Sequence, residues 1–366
     1  MRWLKVLHRS EEGVSLILVG VALIMLVAFV GFAVDAGAMY QERRELRRGA
    51  DAAALAIAED CVTGAKPCTE AAGVATADVY ADANADDGTA TVESVMIDPA
   101  PANPDYTMTV KVDTLAEDAD GPGFAMRFMQ LLGLDRVDVH GSATAATGYP
   151  GEGFGFPITV EECEYYKSFT EPDIGDLTVL RFHQGAIDYD DPDIDPCVPD
   201  PAGKDAPGAF GYLFTIDGEQ CVTRITCNGG DCTVEGQPGG GAGSPPTPAC
   251  DADEVYRLLI DEGPVYLPIY SYVTDGGANS LYRIVGFGTF EVFAYRLGGP
   301  KYTYDGGYLG EVLLAKGGKC PEDPDDPMPD PSDACLIGRF TNEGPPMQVG
   351  DFGGQNFGTI LVRLID

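Results

Sequence analysis

Histidine, tryptophan and positive charge are all scarce in this chain. Three histidines, His8, His140 and His183, leave little for imidazole catalysis or zinc ligation. Lys and Arg number 23 against 58 Asp and Glu, giving a formal net charge of −35. Nucleic-acid binding needs a positive footprint, so that class of partner is excluded. No HExxH, GxSxG, GxxxxGK[ST], DxSxS or CxxC pattern occurs. His140 sits in a strand-like pattern beside Gly141, and His183 follows Leu180-Arg181-Phe182, so both read as structural. Nothing picks out two of the 58 acids as a glycosidase pair. The reading is therefore no catalytic residue, no cofactor and no metal site. The 366 residues are 45% hydrophobic and 22% charged, which suits about two folded domains rather than a disordered chain.

What the chain does have is one long uncharged run, Gly13 to Val34. As a helix these 22 residues measure about 33 Å, enough for a hydrocarbon core of about 30 Å. A cleaved signal peptide has a shorter apolar core of about 7–15 residues. Small-residue sites at Gly31-Phe32-Ala33 and Ala36-Gly37-Ala38 keep cleavage open, but a retained anchor fits the length better. Arg2, Lys5 and Arg9 precede the run, while Arg43, Arg44, Arg47 and Arg48 follow it, so the positive-inside rule is nearly tied. The cysteines decide the orientation. All ten lie beyond the run, where an oxidising compartment would let them pair. From residue 49 onward there are 16 basic and 53 acidic residues. Residues 1–12 thus read as a cytoplasmic tail, 13–34 as the span and the rest as exported.

After the span, Met39, Leu46, Ala50, Ala53 and Ile57 recur on one helical face, with Ala54 beside them, and no proline intervenes. Leu46, Ala50, Ala53, Ala54 and Ile57 are the candidates for close helix packing. Span and helix could form one rod over about residues 14–59, on the order of 70 Å, or two helices broken at Gly37. Beyond Cys61 the period changes. Residues 89–98 and 106–116 alternate like strands of a hairpin, 123–134 reads as a short helix ended by Gly133, and 136–147 returns to strand. The expected division is a helix plus a small αβ module over 35–147, a linker at 148–154, and a β-rich region over 155–366. In that region strands are expected at 210–216, 263–273, 281–298, 307–315, 336–340 and 359–365, with a short helix at 251–260. Gly-, Pro- and Asp-rich bridges at 235–250 and 321–335 read as solvated loops.

Cys61 and Cys68 enclose VTGAKP. On a continuous helix they would stand about 10 Å apart, beyond the roughly 7 Å limit, so pairing them requires the helix to stop near Asp60. Cys320 and Cys335 enclose the Asp-Pro loop, Cys163 and Cys197 form a natural pair, and Cys221, Cys227, Cys232 and Cys250 cluster with their connectivity open. Acid runs at 188–196 and 321–333 raise a calcium site, but neither has EF-hand spacing, and a solvated surface is preferred.

The stretch EEGVSLILVGVALIMLVAFVGFAVDAGAMYQERRELRRGADAAALAIA, about residues 11–60, resembles the TadE/TadG-like proteins of the Tad (tight adherence) machinery, which assembles Flp pili. The matching residues are Gly13 before the span, Val34-Asp35-Ala36-Gly37 at its exit, Tyr40, Arg44-Glu45-Leu46, and Gly49-Ala50-Asp51 with the alanines that follow. Asp35 is expected to reach interfacial water there. The β-rich half is more loosely similar to the longer TadG-related proteins of actinobacteria, through Phe210-Gly211-Tyr212-Leu213, Cys221 to Cys250, Tyr282-Arg283-Ile284-Val285-Gly286-Phe287 and Cys335-Leu336-Ile337-Gly338-Arg339-Phe340. Members cut by prepilin peptidase carry Glu five residues after the cleaved glycine. Leu18 stands at that position here, which favours an uncleaved anchor.

The expected fold class is α+β: a transmembrane helix continuing into an amphipathic helix, a small αβ module, then a mostly β, disulfide-bonded ectodomain. The resemblance implies assembly or anchoring of a Flp pilus through contacts with other Tad proteins or pilus subunits, with the packing face meeting similar partner helices. The alternative is a surface adhesin or carbohydrate-binding module on the same anchor, motivated by Tyr266, Tyr270, Tyr272, Tyr282 and Tyr295, which could stack on sugars or fill a β core. An exported hydrolase ranks third.

Overall fold

The run of good helix formers from the span to Cys61 is continuous helix. In the computed structural model, α1 extends unbroken from Glu12 to Thr63, 52 residues and about 78 Å long. Gly37 does not interrupt it, since one glycine in a helix interior costs only about 1 kcal/mol. Gly64, at φ +69°, ends it in the left-handed conformation that a helix C-terminus favours. The structure describes residues 12–86, 88–118, 120–170, 176–182, 210–216, 220–227, 232–236, 250–274, 281–297, 303–304, 334–342, 346–347 and 349–365. The chain divides into two compact units: Met1–Pro99, Met108–Ala146 and Leu364–Asp366 in one, Ala100–Thr107 and Thr147–Arg363 in the other.

In the first unit, α1 is followed by α2 (Glu70–Asn84), β1 (Ala90–Asp98), β2 (Met108–Asp118), β3 (Gly121–Pro122), β4 (Phe124–Ala125), β5 (Arg136–Val137) and β6 (His140–Gly148). β1 and β2 form the expected hairpin, Ala90 opposite Ala116 through Asp98 opposite Thr109, and β6 lies on the other side of β2. α2 was not anticipated. Its signal is Thr69, whose hydroxyl accepts the Ala72 N–H as an N-cap, followed by a proline-free, alanine-rich stretch. The second half of α1 packs on α2 and β2, burying Leu46, Ala50, Ala53, Ala54, Ile57 and Ala58 almost completely. Two glycines permit that closeness. A Cβ on Gly49 would stand 3.0 Å from the Ala81 Cα, and one on Gly141 would stand 2.6 Å from the Leu46 carbonyl carbon. Buried Thr114 adds a hydroxyl donor to the Leu46 carbonyl.

The second unit is mostly β: β7 (Pro150–Gly155), β8 (Ile158–Glu161), β9 (Thr178–Phe182), β10 (Phe210–Tyr212), β11 (Thr223–Ile225), β12 (Thr233–Glu235), β13 (Val265–Thr274), β14 (Leu281–Arg296), β15 (Thr303–Tyr304), β16 (Ala334–Phe340), β17 (Gly350–Phe352) and β18 (Leu361–Leu364). Helices α3 (Glu162–Thr170) and α4 (Ala252–Tyr256) accompany them, α4 running on into a π turn over Arg257–Asp261. The main sheet runs β10-β8-β13-β14-β16-β9, antiparallel except at β8–β13. Tyr165 of α3 enters the cluster around this sheet edge-on to Phe340 and Phe357, at 4.7 and 5.0 Å. A second cluster gathers Leu213, Ile225, Tyr270, Tyr282, Ile284 and Phe287.

Residues 148–154, expected as a linker, are instead mostly strand β7, paired with β11 and β17. The glycines there serve close approach rather than flexibility: a Cβ on Gly153 would meet the Met347 sulfur at 2.7 Å, and one on Gly155 the Tyr266 carbonyl oxygen at 2.8 Å. The tyrosines that motivated sugar binding mostly fill cores. Tyr270, Tyr282 and Tyr295 are buried, Tyr270 lies edge-on to Tyr282, and Tyr272 sits under the Arg283 guanidinium.

Disulfides join Cys61 to Cys68, Cys221 to Cys250 and Cys227 to Cys232; Cys163 and Cys335 are also disulfide-bonded. The first forms with the helix running to Thr63, because Gly64 turns the chain back within one residue. Cys197, Cys320, His183, the strand expected at 307–315 and both acid runs lie outside the described residues, as does most of the two bridges.

Candidate interaction site at the end of the apolar run

From Leu16 to Val30 the large apolar residues of α1 are exposed, with Leu16 at 77% and Phe29 at 73%. The helix is the one among the described residues long and apolar enough to cross a membrane. Where the uncharged run ends, the situation reverses. Asp35 is 2% exposed, so its carboxylate does not reach water as expected from its position. Its Oδ1 accepts the Arg127 N–H at 3.1 Å, and its Oδ2 accepts the Phe128 and Met129 N–H groups at 2.9 and 2.7 Å. These three donors open the 3₁₀ turn Met129–Leu132, whose first N–H groups have no partner of their own. Asp35 therefore caps that turn from another helix. A buried charge is tolerable here because three hydrogen bonds replace its water.

One turn earlier on the same face is Gly31. A Cβ placed there would lie 2.9 Å from the Phe128 Cβ, so the phenylalanine rests on bare helix backbone. The segment 123–134 was expected as a helix; it is a short strand and a four-residue 3₁₀ turn, closed by Gly133 at φ +82° as expected. Gly133, in the left-handed conformation with its N–H returned to the turn, ends it after four residues.

Beside this clasp lies a cleft of about 710 Å³, walled by Phe32, Asp35, Ala36, Met39, Tyr40 and Arg43 of α1 and by Met126, Met129, Asp138, Val139 and His140. Tyr40 is 67% exposed, and His140 Nδ1 lies 2.9 Å from Glu93 Oε2. The mixture of flexible methionines, an aromatic ring and an arginine suits a protein segment better than a small polar ligand. Ten residues beyond Asp35, Glu45 repeats the device. It is 8% exposed, accepts the Asp86 N–H at 3.0 Å and the Gln41 side-chain amide at 2.9 Å, and holds the end of α2.

Of the expected site residues, Asp35 and Tyr40 meet at the cleft. Gly13 lies in the first turn of α1, Gly37 faces open space and Asp51 is half-buried. Leu46, Ala50, Ala53, Ala54 and Ile57 are covered by α2 and β2 of the same chain, so that face is taken before any partner helix arrives. Gly31 was not among the candidates, and Glu45 stood only within the Arg44-Glu45-Leu46 match; the structure gives the first a packing contact and the second a hydrogen-bonding role. A glycine four residues before a solitary acid at the end of an apolar run is a signal that could have found the first. No group of His, Cys, Asp and Glu among the described residues is arranged to hold a metal.

An apolar helix long enough to cross a membrane leads into an α+β, disulfide-bonded body. Residues 13–59 match the Tad family, described as "Putative Flp pilus-assembly TadE/G-like", a stretch that lies wholly within α1 and contains Gly31, Asp35, Tyr40 and Glu45. No curated protein and no solved structure matches the chain.

Proposed function

We propose that this chain is a non-catalytic, single-pass membrane protein of the Tad machinery, acting in assembly or anchoring of a Flp-type pilus through protein contacts. The observation that carries this reading is the coincidence of the family match at 13–59 with the exposed apolar half of α1 and the clasp at its end. Its N-terminus is cytoplasmic and the rest lies outside, supported by cysteines that all follow the span and pair. Leu18, where processed members carry Glu, makes it an anchor rather than a polymerising subunit and aligns it with the TadG-like branch. Since the small-residue face is already covered, partners meet the cleft at Tyr40 and the open side of the span at Phe29.

A photocrosslinking residue at Tyr40 or Phe29, in cells carrying the Tad apparatus, is expected to capture a Tad membrane protein or pilus subunit, while one at buried Ala53 captures none. Absence of any Tad adduct from the two exposed positions would overturn the reading. A membrane-impermeant maleimide should label intact cells only after reduction; free thiols that appear only on lysis would place the body in the cytoplasm.

A further inference from the structure

The first unit carries apolar side chains that its own core does not use. In the segment clasped by Asp35, Leu131 is 84% exposed, Leu132 75%, Leu134 48% and Phe128 43%. Beside the Gly31 contact, α1 itself exposes Phe32 and Val34. The depth of the clasped segment is fixed by contact rather than by sequence. Phe128 rests on Gly31, which lies three residues inside the end of the uncharged run, about 4.5 Å along the helix axis from Val34.

Most backbone donors of this segment are also satisfied within the protein. Met126 N–H donates to the Asp135 carbonyl; those of Arg127, Phe128 and Met129 donate to Asp35; those of Leu131, Gly133 and Leu134 donate to the carbonyls of Phe128, Gln130 and Met129. A surface loop in water has no need of such closure, whereas backbone entering a lipid environment must satisfy its polar groups internally. The flanking charges match. The Arg127 side chain is exposed, at the position where a guanidinium would meet lipid phosphates, and exposed Asp135 follows the last leucine.

We propose that residues 126–134 form an interfacial membrane foot. Phe128, Leu131, Leu132 and Leu134 insert into the outer leaflet of the bilayer that α1 crosses, and Asp35 and Gly31 hold them at that depth. The bound class is phospholipid acyl chain, with Arg127 at the headgroup level. Insertion gives the body a second attachment beside the span, of the kind made by interfacial apolar segments.

The proposal rests on α1 being a span, and the test separates the two. Trp3 is the one native tryptophan, so Trp3→Phe provides a silent background for single reporters at Leu132→Trp, Leu131→Trp and Ile24→Trp. All three positions are exposed, so the reporters disturb no packing. The full chain is placed in phosphatidylcholine and phosphatidylglycerol vesicles containing lipid brominated either near the carbonyl end or near the methyl end. Tryptophan at 132 or 131 should lose about half its emission to carbonyl-end bromine, less to methyl-end bromine, and little to aqueous iodide. Tryptophan at 24 should be quenched most by methyl-end bromine. If 24 is quenched but 131 and 132 respond only to iodide, the foot stands in water and the proposal is overturned while the span survives. If 131 and 132 are shielded from both quenchers and become exposed on dilution into excess lipid, a second copy covers them and the proposal again fails. If 24 is unquenched, span and foot fall together.

Discussion

Asp35 combines an unfavourable location with complete hydrogen bonding, and it is the residue on which the clasp depends. Asp35→Ala leaves three N–H groups without their acceptor, and a clear loss of stability is expected. Hydrogen exchange should show the effect at the amides of 127–129 before elsewhere, and Asp35→Asn, which keeps one acceptor oxygen, should lose less. Gly31→Ala presses a methyl group against Phe128 and is expected to loosen the same amides. In a Phe128→Ala background the clash is gone, so Gly31→Ala should there cost little; equal costs in both backgrounds would refute the contact.

Two other acids of the first unit set an acid sensitivity. Burial alone would raise the Asp113 carboxyl, but hydrogen bonds from Lys111, Ser142 and Ser94 outweigh it and hold it below its ordinary value. Burial likewise opposes ionisation of Asp118, and the Arg136 guanidinium at 2.8 Å, with backbone N–H groups, outweighs it. Both carboxyls are lowered in the folded state. Their stabilisation is therefore fully present above the unfolded carboxylate value of about 3.9 and is lost as pH falls through the folded values below it. Denaturation of Asp118→Asn followed against pH should show a less stable protein at neutral pH whose curve converges on the parent's in strong acid.

Of the glycine contacts made by α1, that with β6 leaves the least room. The atoms facing Gly141 are helix backbone, which cannot swing aside as a side chain would. Gly141→Ala is expected to destabilise the first unit by about 2 kcal/mol or more, measured by denaturant unfolding, whereas Gly37→Ala, in open space, should be neutral or slightly stabilising. The same contrast explains what could be read from sequence. Periodicity found α1, the β1–β2 hairpin, β13, β14 and β16, because long alternating or helical apolar patterns leave little choice. It also found the Leu46–Ala50–Ala53–Ile57 face, but period alone does not say whether a buried face is covered in cis or by another chain. α2 escaped because its buried residues, Gly73, Thr76, Ala77 and Ala81, are too small and mixed to register as an apolar stripe. β7 escaped because glycine brings freedom and closeness at once, and only the neighbours Met347 and Tyr266 show which is in use. Asp35 was legible as a motif residue; its burial was not, since its three donors lie more than ninety residues away.

At the scale of the whole molecule, the disulfides add to modest cores. Chain entropy assigns about 2.5 kcal/mol to the Cys61–Cys68 link and about 3.5 kcal/mol to Cys221–Cys250, which closes a longer loop with a separation of 29 residues. Replacing each pair by serine should lower the denaturation midpoint in that order, the wider loop costing more. The two links also report on different units, so tryptic digestion of the Cys221→Ser/Cys250→Ser variant should open the second unit while sparing the first.

The unbroken course of α1 has a mechanical corollary. Thr63 lies 28 positions beyond Asp35, so a stiff shaft of about 42 Å projects past the point where the uncharged run gives out. A helix that leans by about 20°, an ordinary inclination within a bilayer, sweeps the far end of such a shaft sideways by about 14 Å. If α1 crosses a bilayer as proposed, no hinge at Gly37 absorbs that lean, and membrane thickness is passed on to the elements of the first unit packed along the shaft.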